Sequence, residues 1–272
     1  MLRPPIEERF TAPSVMGVIN VTPDSFSDGG IHLGPEAAVA SARLMLEAGA
    51  AIVDVGGEST RPGSLGVSAR EELERVEPVL AGLAGAAVSI DTSKAVVARR
   101  ALELGAELVN DVTALRGDRQ LVGLVAEAGC YVCLMHMLGD PRTMQVEPRY
   151  DDVVSEVKAF LEERLAFAVR EGVREELVCL DPGIGFGKTV EHNLELVRRL
   201  GELVALGRPV LVGFSRKSTL GKVLGDPTAT TGSAAASVGA AVAAFERGAT
   251  VIRAHDVREH VEALTVARAI AG

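Results

Sequence analysis

Short apolar runs alternate along this chain with longer segments of helical periodicity. Eight runs are almost continuously apolar, as is typical of strands buried on both faces of a parallel sheet. They cover residues 14–21, 51–57, 86–92, 107–112, 131–137, 177–183, 209–215 and 250–256. The segments between them repeat apolar residues at i, i+3, i+4 and i+7, which predicts amphipathic helices. Examples are residues 35–50, 68–85, 94–106 and 189–206.

The order of these elements predicts the fold. Glycine stands just before the next strand at positions where a left-handed helix cap is expected. These glycines are Gly49, Gly105, Gly129, Gly172, Gly207 and Gly248. Eight β-then-α units without a break in composition predict α/β architecture, namely a single (β/α)8 TIM barrel. We expect one domain over residues 1–272, with residues 1–13 as an N-terminal extension. A doubly wound open sheet is the alternative, but the first predicted strand lacks the G-x-G-x-x-G that such a fold favours.

Three predicted strand-to-helix connections are long, at residues 22–34, 58–67 and 138–150. Long loops inside a compact domain are usually functional. In a barrel all three would lie at the C-terminal face, where barrel enzymes keep their active sites.

Composition and charge narrow the class of protein. The chain has 272 residues, 47% apolar and 3% aromatic, so Ala, Val, Leu and Gly must fill the core. A net charge of −9 argues against non-specific binding to nucleic acid. We expect a cytoplasmic protein, because the N-terminus lacks a signal-peptide pattern and no apolar stretch approaches about 20 residues.

The three cysteines bear on redox and zinc chemistry. Cys130 and Cys133 form C-x-x-C, the pattern of a redox pair or half a zinc site. Both lie on a predicted strand, however, where side chains three residues apart point to opposite faces. We therefore expect buried thiols in a reducing compartment.

Polar side chains stand at the carboxyl end of every predicted strand. They are Asn20; Glu58, Thr60 and Arg61; Asp91; Asn110 and Asp111; His136; Asp181; Ser215, Arg216 and Lys217; and Arg253, His255 and Asp256. Any single one could be a turn or cap residue, and we keep that interpretation for Asp111 and Asp256. Eight strand ends carrying such groups are more than capping requires and predict one shared site.

Two chemical sets can be distinguished within this predicted site. Asp91, Asn110 and Asp181 would suit a planar heterocycle rich in N–H groups, since buried carboxylates need donors or positive charge. The second set is cationic and would hold phosphate or carboxylate. It comprises Arg61, Lys217, Arg253 and His255, with Ser215 and Thr60 nearby in sequence. For Arg216 and Lys188, solvated surface charge stays an open alternative.

The glycine-rich stretch "DPGIGFGKT" at residues 181–189 is one residue short of a nucleotide-binding loop. Pro182 holds the place of the first glycine and has no N–H to offer a phosphate. Motifs for a serine nucleophile or a zinc site are also missing. With acidic groups for a heterocycle and cations for an anion, the simplest chemistry is displacement of a phosphate leaving group, assisted by positioning and charge stabilisation. Mg²⁺ could help, with Asn20 as a possible ligand.

Eight motifs, in order, span residues 17–257. They are "GVINVTPDSFSDGG", "GGESTRPGS", "SIDTSK", "NDV", "MHM" followed by "PRTMQ", "DPGIGFGK", "GFSRKS" and "RAHDV". Together they closely resemble dihydropteroate synthase, a family of pterin-binding (β/α)8 enzymes of folate biosynthesis. The one small departure is Ala254 in "RAHDV", where the family often has a larger aliphatic residue.

The resemblance implies a reaction between 7,8-dihydropterin-6-ylmethyl diphosphate and 4-aminobenzoate, giving 7,8-dihydropteroate and pyrophosphate by an SN1-like displacement. It implies a pterin site of Asp91, Asn110, Asp181 and Lys217, with Met135 as an apolar neighbour. It assigns the diphosphate to Asn20, Arg253 and His255, with Asn20 also facing Mg²⁺. It assigns the aminobenzoate to Thr60, Arg61, Pro62, Phe186, Ser215 and Lys217, closed over by Phe26 and Asp28. The implied catalytic groups are Asp91, Lys217, Arg253 and Asp28.

The resemblance also implies a homodimer, and the apolar segment 233–245 is a candidate interface. Under this interpretation Asp181 faces the pterin, the glycines after it let the backbone bend closely, and the likeness to a nucleotide-binding loop is coincidental. Two alternatives stay open at the level of sequence. One is a pterin-dependent methyltransferase domain, and the other is a non-catalytic pterin-binding paralogue.

Overall fold

The computed structural model describes residues 3–22 and 34–272. Its eight strands are all paired in parallel, in the order β6-β5-β4-β3-β2-β1-β8-β7. They are β1 Ser14–Asn20, β2 Ile52–Gly56, β3 Val88–Asp91, β4 Leu108–Asp111, β5 Tyr131–Met135, β6 Val178–Asp181, β7 Leu211–Val212 and β8 Val251–Ala254. A bridge between Leu180 and Val210 joins β6 to the segment entering β7. The sheet therefore closes, and the predicted (β/α)8 barrel is confirmed.

Helices follow the strands as the periodicity predicts. They are α1 Ile6–Arg9, α2 Pro35–Glu47, α3 Ala69–Gly82, α4 Ala95–Glu103, α5 Arg119–Ala128, α6 Val153–Arg170, α7 Val190–Arg198, α8 Gly201–Val204, α9 Ser218–Val223, α10 Ala234–Phe245 and α11 Val257–Ala271, with a 3₁₀ turn at Glu175–Leu177. The six predicted cap glycines all have positive φ, from 56° to 103°, as left-handed helix ends require. The single helix predicted over residues 189–206 is instead two helices, α7 and α8, since the backbone leaves helical geometry at Arg199, with φ −107° and ψ 23°.

The barrel has two apolar cores, one outside and one inside the ring of strands. The outer core packs the helices against the outward faces of the strands. The inner core fills the barrel near the amino ends of the strands, and the N-terminal segment closes it with Ile6 of α1 and Phe10 just after that helix, both almost wholly buried. Polar inward-facing side chains are therefore left to the carboxyl ends of the strands.

The register of the strands brings those polar positions to similar heights. Asn20 is paired with Gly56, Gly56 with Asp91, and Asp91 with Asn110. Residues paired in parallel register share a face of the sheet, so these positions all point into the barrel. The mouth at the carboxyl ends of the strands thus collects side chains that are distant in sequence.

The remaining expectations about the chain concern thiols and membranes. Cys130 packs in the outer core and Cys133 in the inner core, on opposite faces of their strand, and both are free, buried thiols. The prediction of buried thiols is confirmed.

Within residues 3–22 and 34–272, no cluster of three or more His, Cys, Asp or Glu side chains is placed to hold a metal ion. In the same described ranges, no helix combines the length and the apolar character that crossing a bilayer would need.

Candidate active site

An ion cluster lies at the centre of the barrel mouth, built around the Arg253 guanidinium from β8. Its Nε donates to Asp54 Oδ2 at 2.8 Å, and its Nη2 donates to Asp91 Oδ2 at 3.1 Å. The Asn110 side-chain amide donates to the same Asp54 oxygen at 2.8 Å. Arg253 thus joins Asp91 to Asp54, and Asp54 in turn joins Arg253 to Asn110.

The electrostatics of this cluster favour a ligand that carries donors. Burial raises the pKa of Asp91 above its ordinary value, and the nearby Asp54 charge raises it further, while Arg253 opposes both. One guanidinium therefore does not fully compensate two buried carboxylates. A heterocycle that presents N–H groups to Asp91 would supply the donors that the ionised form needs.

A second group of residues lies around the turn after β6. Asp181 Oδ1 accepts a hydrogen bond from the Gly183 N–H at 2.6 Å, and burial raises the pKa of Asp181. Lys217 Nζ donates to the Ile184 carbonyl and lies 4.8 Å from the centre of the Phe186 ring. Burial lowers the pKa of Lys217 to about 8; Asp181 opposes this shift, and Arg253 adds to it.

The end of β8 and the turn after β7 meet through a serine–histidine contact. Ser215 Oγ accepts the backbone N–H of His255 at 3.0 Å and lies 3.0 Å from His255 Nδ1. Burial lowers the pKa of His255 to about 3, and Arg253 lowers it further. His255 is therefore neutral at ordinary pH and can contribute a hydrogen bond to an anion but no charge.

The loop after β2 forms one wall of a cleft of about 370 Å³ at the mouth of the barrel. Thr60 lines this cleft, together with Pro141 and Arg142 from the loop after β5. The Gly63 N–H donates to the Pro141 carbonyl at 2.9 Å, which joins the two loops. Two other predicted residues of the loop after β2, Arg61 and Pro62, are exposed at the rim.

The base of this loop is fixed by an ion network that the sequence did not reveal. Lys94 Nζ lies 3.0 Å from Glu58 Oε2 and 2.5 Å from Glu72 Oε2. The Glu72 side chain is fully buried on α3. Glu58 Oε1 also accepts the Val67 N–H at 2.8 Å, so one carboxylate ties the two ends of the loop together.

The apolar part of the predicted site is a small cluster above the strands. Met135 packs there with Val112, Met137 and Met144, and Phe186 lies against them partly buried. Both predicted apolar residues, Met135 and Phe186, therefore border one surface, which is suited to the face of a flat ring.

Asn20, the predicted metal ligand, ends β1 at an inward-facing register position level with Gly56. Mg²⁺ in phosphate-transfer sites needs only one or two protein oxygens, since phosphate oxygens and water complete its coordination. A single amide oxygen at this position fits such a role. Two further predicted residues, Phe26 and Asp28, lie outside the described residues.

The structure also shows the roles of Asp111, Asp256 and Lys188. The Asp111 carboxylate accepts the Thr113 and Leu115 N–H groups, so its predicted turn-capping role is confirmed. Asp256 stands at the N-cap position of α11, as predicted, but its carboxylate makes no cap bond and pairs instead with Arg216 at 2.6 Å. Lys188 is only 3% exposed, which rules out the alternative of solvated surface charge.

Asp54 is the residue of the cluster that sequence reasoning missed. It lies in the middle of a strand that is otherwise apolar, and it is fully buried. The available signal was the charge itself, because a carboxylate within a buried strand must find a partner.

The sequence of this chain is similar to that of a known enzyme family. A model of the family described as pterin binding enzyme matches residues 16–255. The dihydropteroate synthase of Escherichia coli strain K12 is 48% identical over 262 residues, covering 94% of this chain and 91% of that protein. The chain belongs to the dihydropteroate synthase family.

Solved structures of the family have the same fold over nearly all of the chain. Xanthomonas albilineans dihydropteroate synthase with 4-aminobenzoic acid superposes with a TM-score of 0.88 at 45% identity, covering 96% of this chain and 94% of that one. The same enzyme in complex with 7,8-dihydropteroate gives a TM-score of 0.85 at 43% identity, covering 96% and 95%. The Xanthomonas albilineans enzyme thus binds 4-aminobenzoic acid and 7,8-dihydropteroate.

Proposed function

We propose that this protein condenses 7,8-dihydropterin-6-ylmethyl diphosphate with 4-aminobenzoate, giving 7,8-dihydropteroate and pyrophosphate. The observation that carries the proposal is the buried cluster of Asp54, Asp91, Asn110 and Arg253 beside Lys217. In this cluster the Asp91 carboxylate and the Asn110 amide can bind the N–H groups of a heterocycle. The neighbouring cations, Arg253 and Lys217, can hold an anion. The Xanthomonas albilineans relative, solved with 4-aminobenzoic acid, one of these substrates, and with 7,8-dihydropteroate, the product, supports the same reaction.

The pterin would bind deep in the barrel mouth. Its ring N–H and amino groups would donate to Asp91 and Asp181, and Asn110 can both donate and accept. Lys217 would contribute a donor at the ring edge, and Met135 would pack against the ring face. Each of these groups comes from a strand end or the turn after it, so the barrel holds the pocket preformed.

The diphosphate would lie toward Arg253 and His255. Ser215 Oγ accepts the backbone N–H of His255, so its own hydroxyl proton can be donated to His255 Nδ1. The ring proton of neutral His255 then lies on Nε2, where it can be donated to a phosphate oxygen. Asn20 would hold Mg²⁺, which when bound neutralises charge on the leaving diphosphate. These groups stabilise the charge that develops as the C–O bond to the leaving group breaks.

The aminobenzoate would enter from the rim, between Thr60, Arg61 and Pro62 on one side and Phe186, Ser215 and Lys217 on the other. Departure of pyrophosphate leaves positive charge on the pterin methyl carbon, and ionised Asp91 stabilises that charge. The aniline nitrogen then attacks the carbon and loses a proton. Phe26 and Asp28 are proposed to close the site during this step.

The deciding experiment measures pyrophosphate release by the purified protein with Mg²⁺ and both substrates, omitting each component in turn. Release that depends on aminobenzoate, with dihydropteroate as the product, is the expected result. Tight pterin binding without release would instead identify a non-catalytic paralogue. Methyl transfer from a folate to a corrinoid protein would identify the methyltransferase alternative.

We also propose that the protein is a homodimer that pairs through α10 and α11. These helices pack on each other, and Val266 and Ile270 of α11 are apolar yet 59% and 81% exposed. Much of the small-residue helix α10 is also exposed or half-buried. Sedimentation equilibrium should give twice the chain mass for the wild type and a monomer for Ile270→Glu. A monomeric wild type would contradict the proposal.

A further inference from the structure

The lysine of the near nucleotide-binding loop is buried and fully engaged. Lys188 Nζ lies 2.9 Å from His136 Nδ1 and donates to the Phe186 carbonyl at 3.0 Å. The His136 carbonyl is a third acceptor, at 3.4 Å. With three protein acceptors around one ammonium, Lys188 has no capacity left for a phosphate. Its partners join the turn after β6 to the end of β5.

The protonation states of the pair are compatible with this arrangement. Burial lowers the pKa of His136, and the charge of Lys188 lowers it further, so the ring is neutral and its Nδ1 can accept. Burial lowers the pKa of Lys188 to about 7, while Asp181 opposes the shift and Lys217 adds to it. An amine and an ammonium can each donate here, so the contact persists in either state.

The two backbone segments joined by Lys188 are in close contact. A Cβ on Gly183 would lie 1.9 Å from the His136 carbonyl oxygen, and one on Gly187 would lie 2.6 Å from Leu138 Cβ. Both glycines also have positive φ, 68° and 67°. Glycine therefore permits the approach, but it supplies no side chain to hold the turn in place.

We propose that Lys188 is a positioning residue for the aminobenzoate half of the reaction. It holds the Phe186 backbone against His136 and thereby fixes the Phe186 ring beside Lys217 Nζ, where the aminobenzoate is to bind. The inference rests on the proposed function for its kinetic part. Its structural part, the anchoring of residues 183–188 on the end of β5, stands independently.

Lys188→Met removes the donors at nearly constant length and is the main test variant. It should raise KM for aminobenzoate about tenfold or more, since small displacements in an active site cost up to about a hundredfold. KM for the pterin diphosphate should change much less. Lys222→Met makes the same change at an exposed lysine of α9 and is the matched control.

Variants of the acceptor test whether the two side chains act as a unit. His136→Asn can keep an oxygen near the Nδ1 position and should retain most of the affinity for aminobenzoate, whereas His136→Leu should not. Adding His136→Leu to Lys188→Met should cause little further loss, because a coupled pair is not additive. Full additivity of the two changes would contradict the coupling.

Hydrogen exchange separates the anchoring from the proposed catalytic function. In Lys188→Met, amides of residues 183–188 should exchange faster while those of β1 to β4 stay as in the wild type. Faster exchange throughout the barrel, or exchange and KM equal to those of the Lys222→Met control, would overturn the inference. A wild type that releases no pyrophosphate would reject the proposed function instead, and the exchange result would still decide the anchoring.

Discussion

The pKa values of ionisable residues in the barrel mouth depend on burial as much as on neighbouring charges. Asp91 is held above its ordinary pKa and Lys217 below its own, so burial favours the neutral form of both. The proposed chemistry needs Asp91 ionised and Lys217 protonated. Because the pKa values of Asp91 and Lys217 are both about 8, activity should be highest near that pH, falling on the acid side as Asp91 is protonated and on the alkaline side as Lys217 loses its proton.

Lys217→Arg tests the alkaline limit. The Lys217 pKa is about 8, so its charge is lost as the pH rises through that value. Arginine stays protonated over the whole accessible range. In wild type, kcat/KM for the pterin diphosphate should fall above about pH 8, and in Lys217→Arg this fall should disappear although overall activity is lower. An unchanged alkaline limb in the variant would show that another group sets it.

For single residues, the sequence predicted which side chains belong to the site better than it predicted the contacts between them. Asp91, Asn110 and Arg253 were predictable because they end strands, and their mutual contacts follow from register. Asp54 was missed because its strand looked uniformly apolar. Lys188 could not be placed either, since a lysine next to glycines is compatible with surface or interior until the packing against β5 is known.

The strands were the most predictable elements. Each is short, apolar and buried on both faces, so its pattern is recognisable without knowledge of the neighbouring segments. The helix after β6 was less predictable: helical periodicity continues over residues 189–206, but the backbone leaves helical geometry at Arg199. The loops after β2 and β5 were predicted as functional, whereas the bond from Gly63 to Pro141 depends on tertiary structure alone.

The loop after β2 provides a prediction at the scale of elements. In Lys94→Met, Glu72 loses its cation while fully buried, and Glu58 loses its tie to α3. Breaking a buried ion pair from one side costs about 3–5 kcal/mol. Chemical denaturation should therefore give an unfolding free energy about 3–5 kcal/mol below that of the wild type. KM for aminobenzoate should also rise, because Thr60 and Pro62 lie on the loop.

The double variant Lys94→Met/Glu72→Gln is the control for this prediction. Replacing the buried carboxylate by an amide removes the uncompensated charge, so much of the lost stability should return. The loop would still lack its anchor at Glu58, and KM should stay high. If stability and KM recovered together, the effect on the loop would be only a consequence of global destabilisation.

At the scale of the whole molecule, stability and chemistry lie at opposite ends of the barrel. The carboxyl ends of the strands carry buried charges that are costly to fold around. The amino ends are filled by the inner core, which the N-terminal segment completes with Ile6 and Phe10. That segment is also tied down by polar contacts, since Arg9 pairs with Glu107 at 2.5 Å and the Tyr131 hydroxyl donates to the Pro4 carbonyl at 3.1 Å. From the sequence, residues 1–13 could be predicted only as an extension, because so short a segment shows no periodicity.

This separation predicts that Phe10→Ala lowers stability without affecting the chemical step. Phe10 is 1% exposed and its ring lies edge-on to Tyr131, with centroids 6.0 Å apart. Truncating a buried phenylalanine costs about 3–5 kcal/mol, from lost transfer energy and the cavity left behind. The unfolding free energy should fall by that amount, while kcat and both KM values, measured well below the melting temperature, should stay close to wild type. Glu8→Ala, at an exposed position of the neighbouring helix α1, should change neither the stability nor the kinetic constants. A large drop in kcat for the folded Phe10→Ala protein would mean that packing at the amino ends of the strands does reach the site, and that the two ends of the barrel are coupled.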